Sequence, residues 1–236
     1  MPDHSDRTGP GPGRHPGPPG PGGKREMWET RYRERDLTQF FWYREDAPPE
    51  LTRLMEGDGR PTSGAALDLG CGPGVMSVYL AQFMSPTVGV DIAHAAVVQA
   101  KHLGEEKGSP ARFMVVEAPD LPFRSGAFGL VFDRGCLQAI PRTSWQKYFQ
   151  EVDRLLQPGG RLWLYCSTVE RPGLLSKRGL KMRARRLLGK GGPGSLSDAI
   201  LRHLPTSMET VELENRTFRT PAGRTRLLAY GLFRKR

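Results

Sequence analysis

Apolar positions along the chain fall into short blocks whose period changes. Ala65–Leu69, Thr87–Val90, Arg112–Val116, Gly129–Phe132 and Arg161–Cys166 are brief apolar-rich runs, the form taken by strands buried on both faces. Between them, Val75–Phe83, His94–Leu103 and Ser144–Leu156 space their apolar residues three and four apart, as a helix with one face on a core requires. In the last of these, Trp145, Tyr148, Phe149, Val152, Leu155 and Leu156 make one broad apolar face. Gln157-Pro158-Gly159-Gly160 stops it by turn chemistry. Strands alternating with helices predict an α/β fold with a doubly wound, mostly parallel sheet of about seven strands, helices on both faces and right-handed crossovers. Thr210–Leu213 and Arg226–Phe233 predict a last pair of strands, returning as a hairpin at the sheet edge. Residues 170–205 read as an insertion or cap after strand five.

The flanking segments read differently. Residues 9–23 are almost unbroken Gly and Pro with no strict three-residue period. That excludes collagen and predicts a disordered, partly polyproline II tail over residues 1–25. Residues 26–236 are then one domain, in keeping with a 236-residue chain that is 37% hydrophobic and 25% charged. Glu26 to Leu54 mixes charge with Trp28, Tyr32 and Phe40–Trp42, a helix and loop that pack on something. Pro48 and Pro49 break it, and Glu50–Met55 resumes as helix.

Composition removes several classes. No apolar run is long enough for a membrane helix and no apolar leader is present. The three cysteines (Cys71, Cys136, Cys166) lack CxxC spacing, so neither a disulfide framework nor a zinc site is expected. No other metal motif occurs, and the expected compartment is the reducing cytoplasm. The net charge of +10 is uneven: residues 1–170 hold 19 Lys/Arg against 21 Asp/Glu, and residues 171–236 hold 16 against 4. Such an excess speaks of partners and steering rather than fold.

The first strand runs into Gly70-Cys71-Gly72-Pro73-Gly74, and the second ends at Asp91. In open α/β sheets ligands sit beyond the carboxyl ends of the strands. Glycines there let backbone approach a ligand closely, the following helix presents free N–H groups, and a carboxylate at the second strand's end can accept both ribose hydroxyls. These features predict an adenosine-containing ligand. Charge selects which one. A dinucleotide brings a pyrophosphate, which Asp68 just before the loop would repel. The loop is GxGxG rather than GxGxxG, with Val75 at the last position, and it lacks a Walker lysine. S-adenosylmethionine fits better: Asp68 can attract its ammonium and sulfonium, and the N–H groups of Gly70, Cys71 and Gly72 can meet its carboxylate.

Residues 66–74, ALDLGCGPG, resemble the glycine motif of class I S-adenosylmethionine-dependent methyltransferases. VGVDIA (88–93), VVEAPDLPFRSGAFGLVF (115–132) and EVDRLLQPGGRLWL (151–164) resemble that family's later motifs, in order. The resemblance implies a Rossmann-like sheet, with Asp91 and Ile92 at the ribose and Glu117 and Ala118 beside the adenine. One departure is Gly129, where the family usually has Asp; that position mostly supports structure, so little loss is expected. WETRY (28–32), WYREDAPPEL (42–51) and FDRGCLQAIP (132–141) further resemble thiopurine- and thiol-type small-molecule methyltransferases. That narrower likeness implies that Trp28 shields the sulfonium and that Arg134 faces cofactor or substrate.

Methyl transfer from a sulfonium needs orientation and desolvation more than acid–base chemistry. Asp133, ending the fourth strand, is the candidate base; its bland alternative is a loop cap or a partner for Arg134. Cys136 is read as a small core residue and His94 as a solvated helix-start residue. The basic run 171–190 contains eight Lys/Arg and no acid. As a lid it would attract an anionic substrate; it could instead track nucleic-acid phosphates or an anionic membrane surface. Its lack of aromatics disfavours single-stranded RNA. The leading expectation is methyl transfer to S, N or O of a small-molecule acceptor, with anionic acceptors included. The rivals are an RNA or protein methyltransferase docking through 171–190, a cofactor-binding module without turnover, and a nicotinamide-dependent oxidoreductase.

Overall fold

The computed structural model describes residues 23–37, 40, 43–168, 196–219 and 225–236. The expected tail up to residue 22, the basic run 171–190 and the part of the expected insertion up to residue 195 lie outside the described residues. Helix α1 (Gly23–Glu34) already includes the last three residues assigned to that tail. Helix α2 (Pro49–Glu56) starts on the second of the two prolines, because proline's fixed φ and missing N–H suit the first helical position.

The sheet is built from β1 (Ala65–Leu69), β2 (Thr87–Asp91), β3 (Arg112–Val115), β4 (Phe128–Arg134), β5 (Leu156–Thr168), β6 (Met208–Arg219) and β7 (Thr225–Lys235). Helices α3 (Val75–Leu80), α4 (His94–Glu106), α5 (Cys136–Ala139), α6 (Trp145–Leu155) and α7 (Leu196–Leu201) complete the chain. The strand order is β3-β2-β1-β4-β5-β7-β6. The first five strands are parallel, β7 is antiparallel to β5, and β6 is antiparallel to β7. The α/β reading therefore holds, with a seven-stranded sheet.

Both faces of the sheet are covered, which is why β1 is buried at every position. On one face Leu67, Leu69 and Val131 pack under Tyr148, Phe149 and Val152 of α6. On the other, Leu130, Phe132 and Trp163 meet Leu51, Met55 and Leu80 of α2 and α3. Each fully buried Leu, Val or Phe contributes about 1.5–3 kcal/mol. Phe132 and Trp163 also stack with centroids 4.6 Å apart.

Four elements differ from expectation. Strand β5 begins at Leu156, directly after α6. Leu156 pairs with Phe128 and Arg161 with Leu130, so the Pro-Gly-Gly stretch is a bulge inside the strand pair rather than a separating turn. Strands β6 and β7 are longer than their apolar runs, because the outer positions of β6 carry charge (Glu209, Glu212, Glu214, Arg216) and break the pattern. Moreover β7, not β6, takes the inner place beside β5. Finally, the end of the expected insertion belongs to the core: Leu196, Ala199 and Ile200 of α7 are buried.

The departure at Gly129 has a steric cause. A Cβ built there would lie 2.0 Å from the Ser63 carbonyl oxygen, so no larger residue fits without moving the chain that feeds β1. Gly129→Ala is expected to destabilise the fold by about 1–3 kcal/mol. A lowered denaturant midpoint at constant m-value would show this, and an unchanged midpoint would refute it.

Candidate functional site

The chain leaves β1 through three glycines with positive φ, at 69° for Gly70, 53° for Gly72 and 84° for Gly74. The loop is held from below by its own N–H groups. Gly70 and Cys71 both donate to the Val90 carbonyl, at 2.8 and 2.9 Å. Gly72 donates to Asp91 Oδ2 at 3.0 Å, and Ala93 donates to Asp91 Oδ1 at 2.9 Å. The N–H groups expected to meet a ligand carboxylate are therefore spent inside the protein. What the loop supplies is room: a Cβ on Gly72 would lie 2.8 Å from the Tyr32 hydroxyl of α1.

Beyond the strand ends lies a cavity of about 590 Å³, within the usual range of small-molecule sites. Gly70, Asp91 and Ile92 line it below the roof helix, with Glu117 and Ala118 on the β3 side. Trp28 lines the roof, and Arg134 lines the β4 side. Asp68, Cys71, Gly72 and Asp133 are not among the lining residues; they support it from behind.

Helix α1 is the roof. Trp28 and Tyr32 stack at 6.0 Å, and the Arg31 guanidinium lies 4.7 Å from the Trp28 ring. The roof is tied to α4, where Gln99 Nε2 donates to the Tyr32 carbonyl at 2.6 Å and Glu29 accepts from Ala95 N–H at 3.1 Å. Arg25 reaches Glu117 at 3.6 Å, an exposed pair that adds little stability. Tyr32 was missed as a lining residue, although it stands one turn after Trp28 on the same face.

Three carboxylates are buried at the strand ends, and they do different work. Burial pushes the Asp68 carboxyl up to about 7, against a 2.6 Å hydrogen bond from Ser77 and the charge of Arg134, with Asp133 and Asp91 adding to the rise. Burial also raises Asp91, opposed by the N–H groups of Ala93, Gly72 and Ile92. Each Asp91 oxygen receives one such bond from Gly72 or Ala93, leaving lone pairs at the cavity surface. Asp133 is the correction. It is fully buried and accepts from the N–H groups of Gly135, Cys136 and Leu137 at 2.9, 2.7 and 2.9 Å, and from the Tyr148 hydroxyl at 2.5 Å. Burial raises it to about 6, but it has no face toward the cavity. It caps α5 rather than serving as a base, and it does not pair with Arg134.

Arg134 makes no ion pair among the described residues. Burial and the nearby Arg44 lower its pKa, while Tyr165 and Asp68 oppose them. Burial holds the Cys71 and Cys136 thiols well above their ordinary value, so both stay protonated and inert. Among the described residues no group of side chains could hold a metal ion, and no helix is long and apolar enough to cross a membrane.

Residues 66–160 match the family model of a methyltransferase domain. The 2-heptyl-1-hydroxyquinolin-4(1H)-one methyltransferase of Mycobacteroides abscessus is 30% identical over 139 residues, covering 57% of this chain and 60% of that protein. EEF1A lysine methyltransferase 2 of Homo sapiens is 29% identical over 154 residues, 58% of this chain and 65% of that protein. The chain thus spans less than two thirds of these relatives. A solved S-adenosylmethionine-dependent methyltransferase from Methanosarcina mazei superposes with a TM-score of 0.60 at 20% identity, covering 80% of this chain and 98% of that one. These likenesses reach the wider class; the thiopurine- and thiol-type likeness rests on the sequence segments alone.

Asp68 and Asp133 both sit above the ordinary Asp value of 3.8, at about 7 and about 6. From about pH 4 to about pH 7 the folded chain keeps protons that the unfolded chain sheds, so stability falls as pH rises through that window. The melting temperature of the protein without ligands is expected to carry this fall, and Asp68→Asn to make it shallower. Equal slopes in the two proteins would contradict it.

Proposed function

We propose that this chain, whose residues 66–160 match a methyltransferase domain, is a class I S-adenosylmethionine-dependent methyltransferase that transfers a methyl group to S, N or O of a small acceptor, and best to one that is anionic. The residues present fit the methyl donor. Asp91 faces the cavity with free lone pairs for the ribose hydroxyls, and Glu117 and Ala118 flank the place of the adenine. Trp28 and Tyr32 cover the crevice and exclude water. Asp68 sits behind Gly70, where a bound cation would favour its charged form. The bound donor supplies an electrophilic methyl whose departure leaves a neutral thioether and requires no proton.

The observation that carries the acceptor reading is Arg134, a half-buried cation on the cavity wall without an ion pair among the described residues. A guanidinium in that position attracts and orients an oxyanion or thiolate acceptor and repels an ammonium. On the same side the described chain offers no base: Asp133 is consumed by its four donors and Cys136 is a protonated thiol. An acceptor already ionised at neutral pH needs neither. The lysine substrate named for the human relative would enter as a cation, so a protein amine is the less suited acceptor.

The test is a labelled-methyl screen of thiols, phenols, carboxylates, amines and lysine peptides, read as S-adenosylhomocysteine formed. Anionic small acceptors are expected to turn over; transfer confined to lysine peptides would overturn the reading. Arg134→Met is expected to raise the acceptor KM about tenfold or more, since a hydrogen bond to a charged group is worth about 1.5–3 kcal/mol. By the same magnitude Asp91→Asn should weaken donor binding about ten- to hundredfold. Calorimetry with the donor checks this, and wild-type affinity would refute the ribose assignment.

A further inference from the structure

Gln138 of α5 is positioned by two hydrogen bonds that its Oε1 accepts, from the backbone N–H and from the hydroxyl of Ser167, each at 2.6 Å. A backbone N–H can only donate, so turning the amide end for end would set two donors against each other. Its oxygen is therefore committed to the end of β5. Its Nε2 is fixed on the opposite side, over Gly135, where a Cβ would lie 3.2 Å from it. Gly135 and Gln138 both line the cavity, next to Arg134. Among the described residues no group accepts a hydrogen bond from that Nε2. Ala139, Ile140 and Pro141 continue the wall as an apolar surface.

We propose that Gln138 is a specificity-determining residue of this site: its fixed Nε2–H group donates to a carboxylate or carbonyl oxygen of an acceptor whose apolar body lies on Ala139–Pro141. The inference rests on the small-acceptor reading and narrows it. Arg134 supplies charge, which attracts any anion. Gln138 supplies direction, because an amide donor rewards only an acceptor atom placed in line with it. An acceptor with the right charge and no such oxygen forgoes this hydrogen bond, which disfavours it.

Gln138→Glu separates this role from a structural one. The carboxylate still offers Ser167 an oxygen, so α5 stays tied to β5, but the donor becomes an acceptor. Calorimetry on the protein loaded with S-adenosylhomocysteine, titrated with benzoate and with acetophenone, reads the effect. Acetophenone carries a carbonyl oxygen with no charge and no donor of its own. Both probes are expected to weaken tenfold or more in the variant, while its affinity for S-adenosylhomocysteine stays within twofold of wild type. Unchanged probe affinities overturn the proposal. Loss of benzoate alone also overturns it, because repulsion between like charges would suffice. If neither probe binds the loaded wild-type protein, this inference falls, while the labelled-methyl screen decides the small-acceptor reading. That result is distinct from the other two, in which the wild-type protein binds the probes.

Discussion

Asp91 receives N–H groups from two directions. Gly72 donates from the loop after β1, and Ala93 donates from the entry to α4. One buried carboxylate thereby fixes the glycine loop against the end of the second strand and sets the start of the helix that carries the roof. Tyr32 packs with Ala93 and Ala96, and Gln99 holds its carbonyl. Removing the carboxylate would loosen floor and roof together. The cost of burying that charge is only partly offset by the donors around it, and burial keeps the Asp91 pKa raised.

The neighbouring carboxylates show how position decides the task. Asp68, Asp91 and Asp133 end adjacent strands, and all three are buried. Leu69 pairs with Val90 and with Asp133, so the three sit together at the carboxyl end of the parallel strands. Alternation along the strands then separates them. Asp68 lies toward Ser77 of α3, whereas Asp133 lies toward Tyr148 of α6. Asp91 alone reaches the cavity surface. The loop N–H groups follow the same logic: those of Gly70, Cys71 and Gly72 are already paired with Val90 and Asp91 of β2, so the loop contributes shape and leaves charge to side chains.

Much of this was legible in the chain. The apolar runs placed β1 at its observed bounds, and the face of α6 was read residue by residue, because a buried parallel strand and a one-sided helix leave strong patterns. Glycine loop and Asp91 were legible because their chemistry is local. Strand β6 was curtailed because its charged outer face masks the alternation. The Pro-Gly-Gly bulge was misread because a bulge and a turn use the same residues. Tertiary pairing hid the rest. Asp133 could not be assigned without Tyr148, which stands on another element, and Gln138 has no sequence signal, since its role follows from Ser167 at the far end of β5.

The inner place of β7 governs the order of assembly. The β1–β2 and β2–β3 pairs are local, whereas the β1–β4 and β5–β7 pairs both join segments far apart in sequence. Strand β5, which bears Ser167 and flanks Arg134, has its second edge covered only when β7 arrives; Trp163 faces Leu232 there, and Ser167 faces Leu228. The half of the crevice that chooses the acceptor is thus held on both sides only once β7 is in place, and until then a hydrophobic strand edge stands open to other chains.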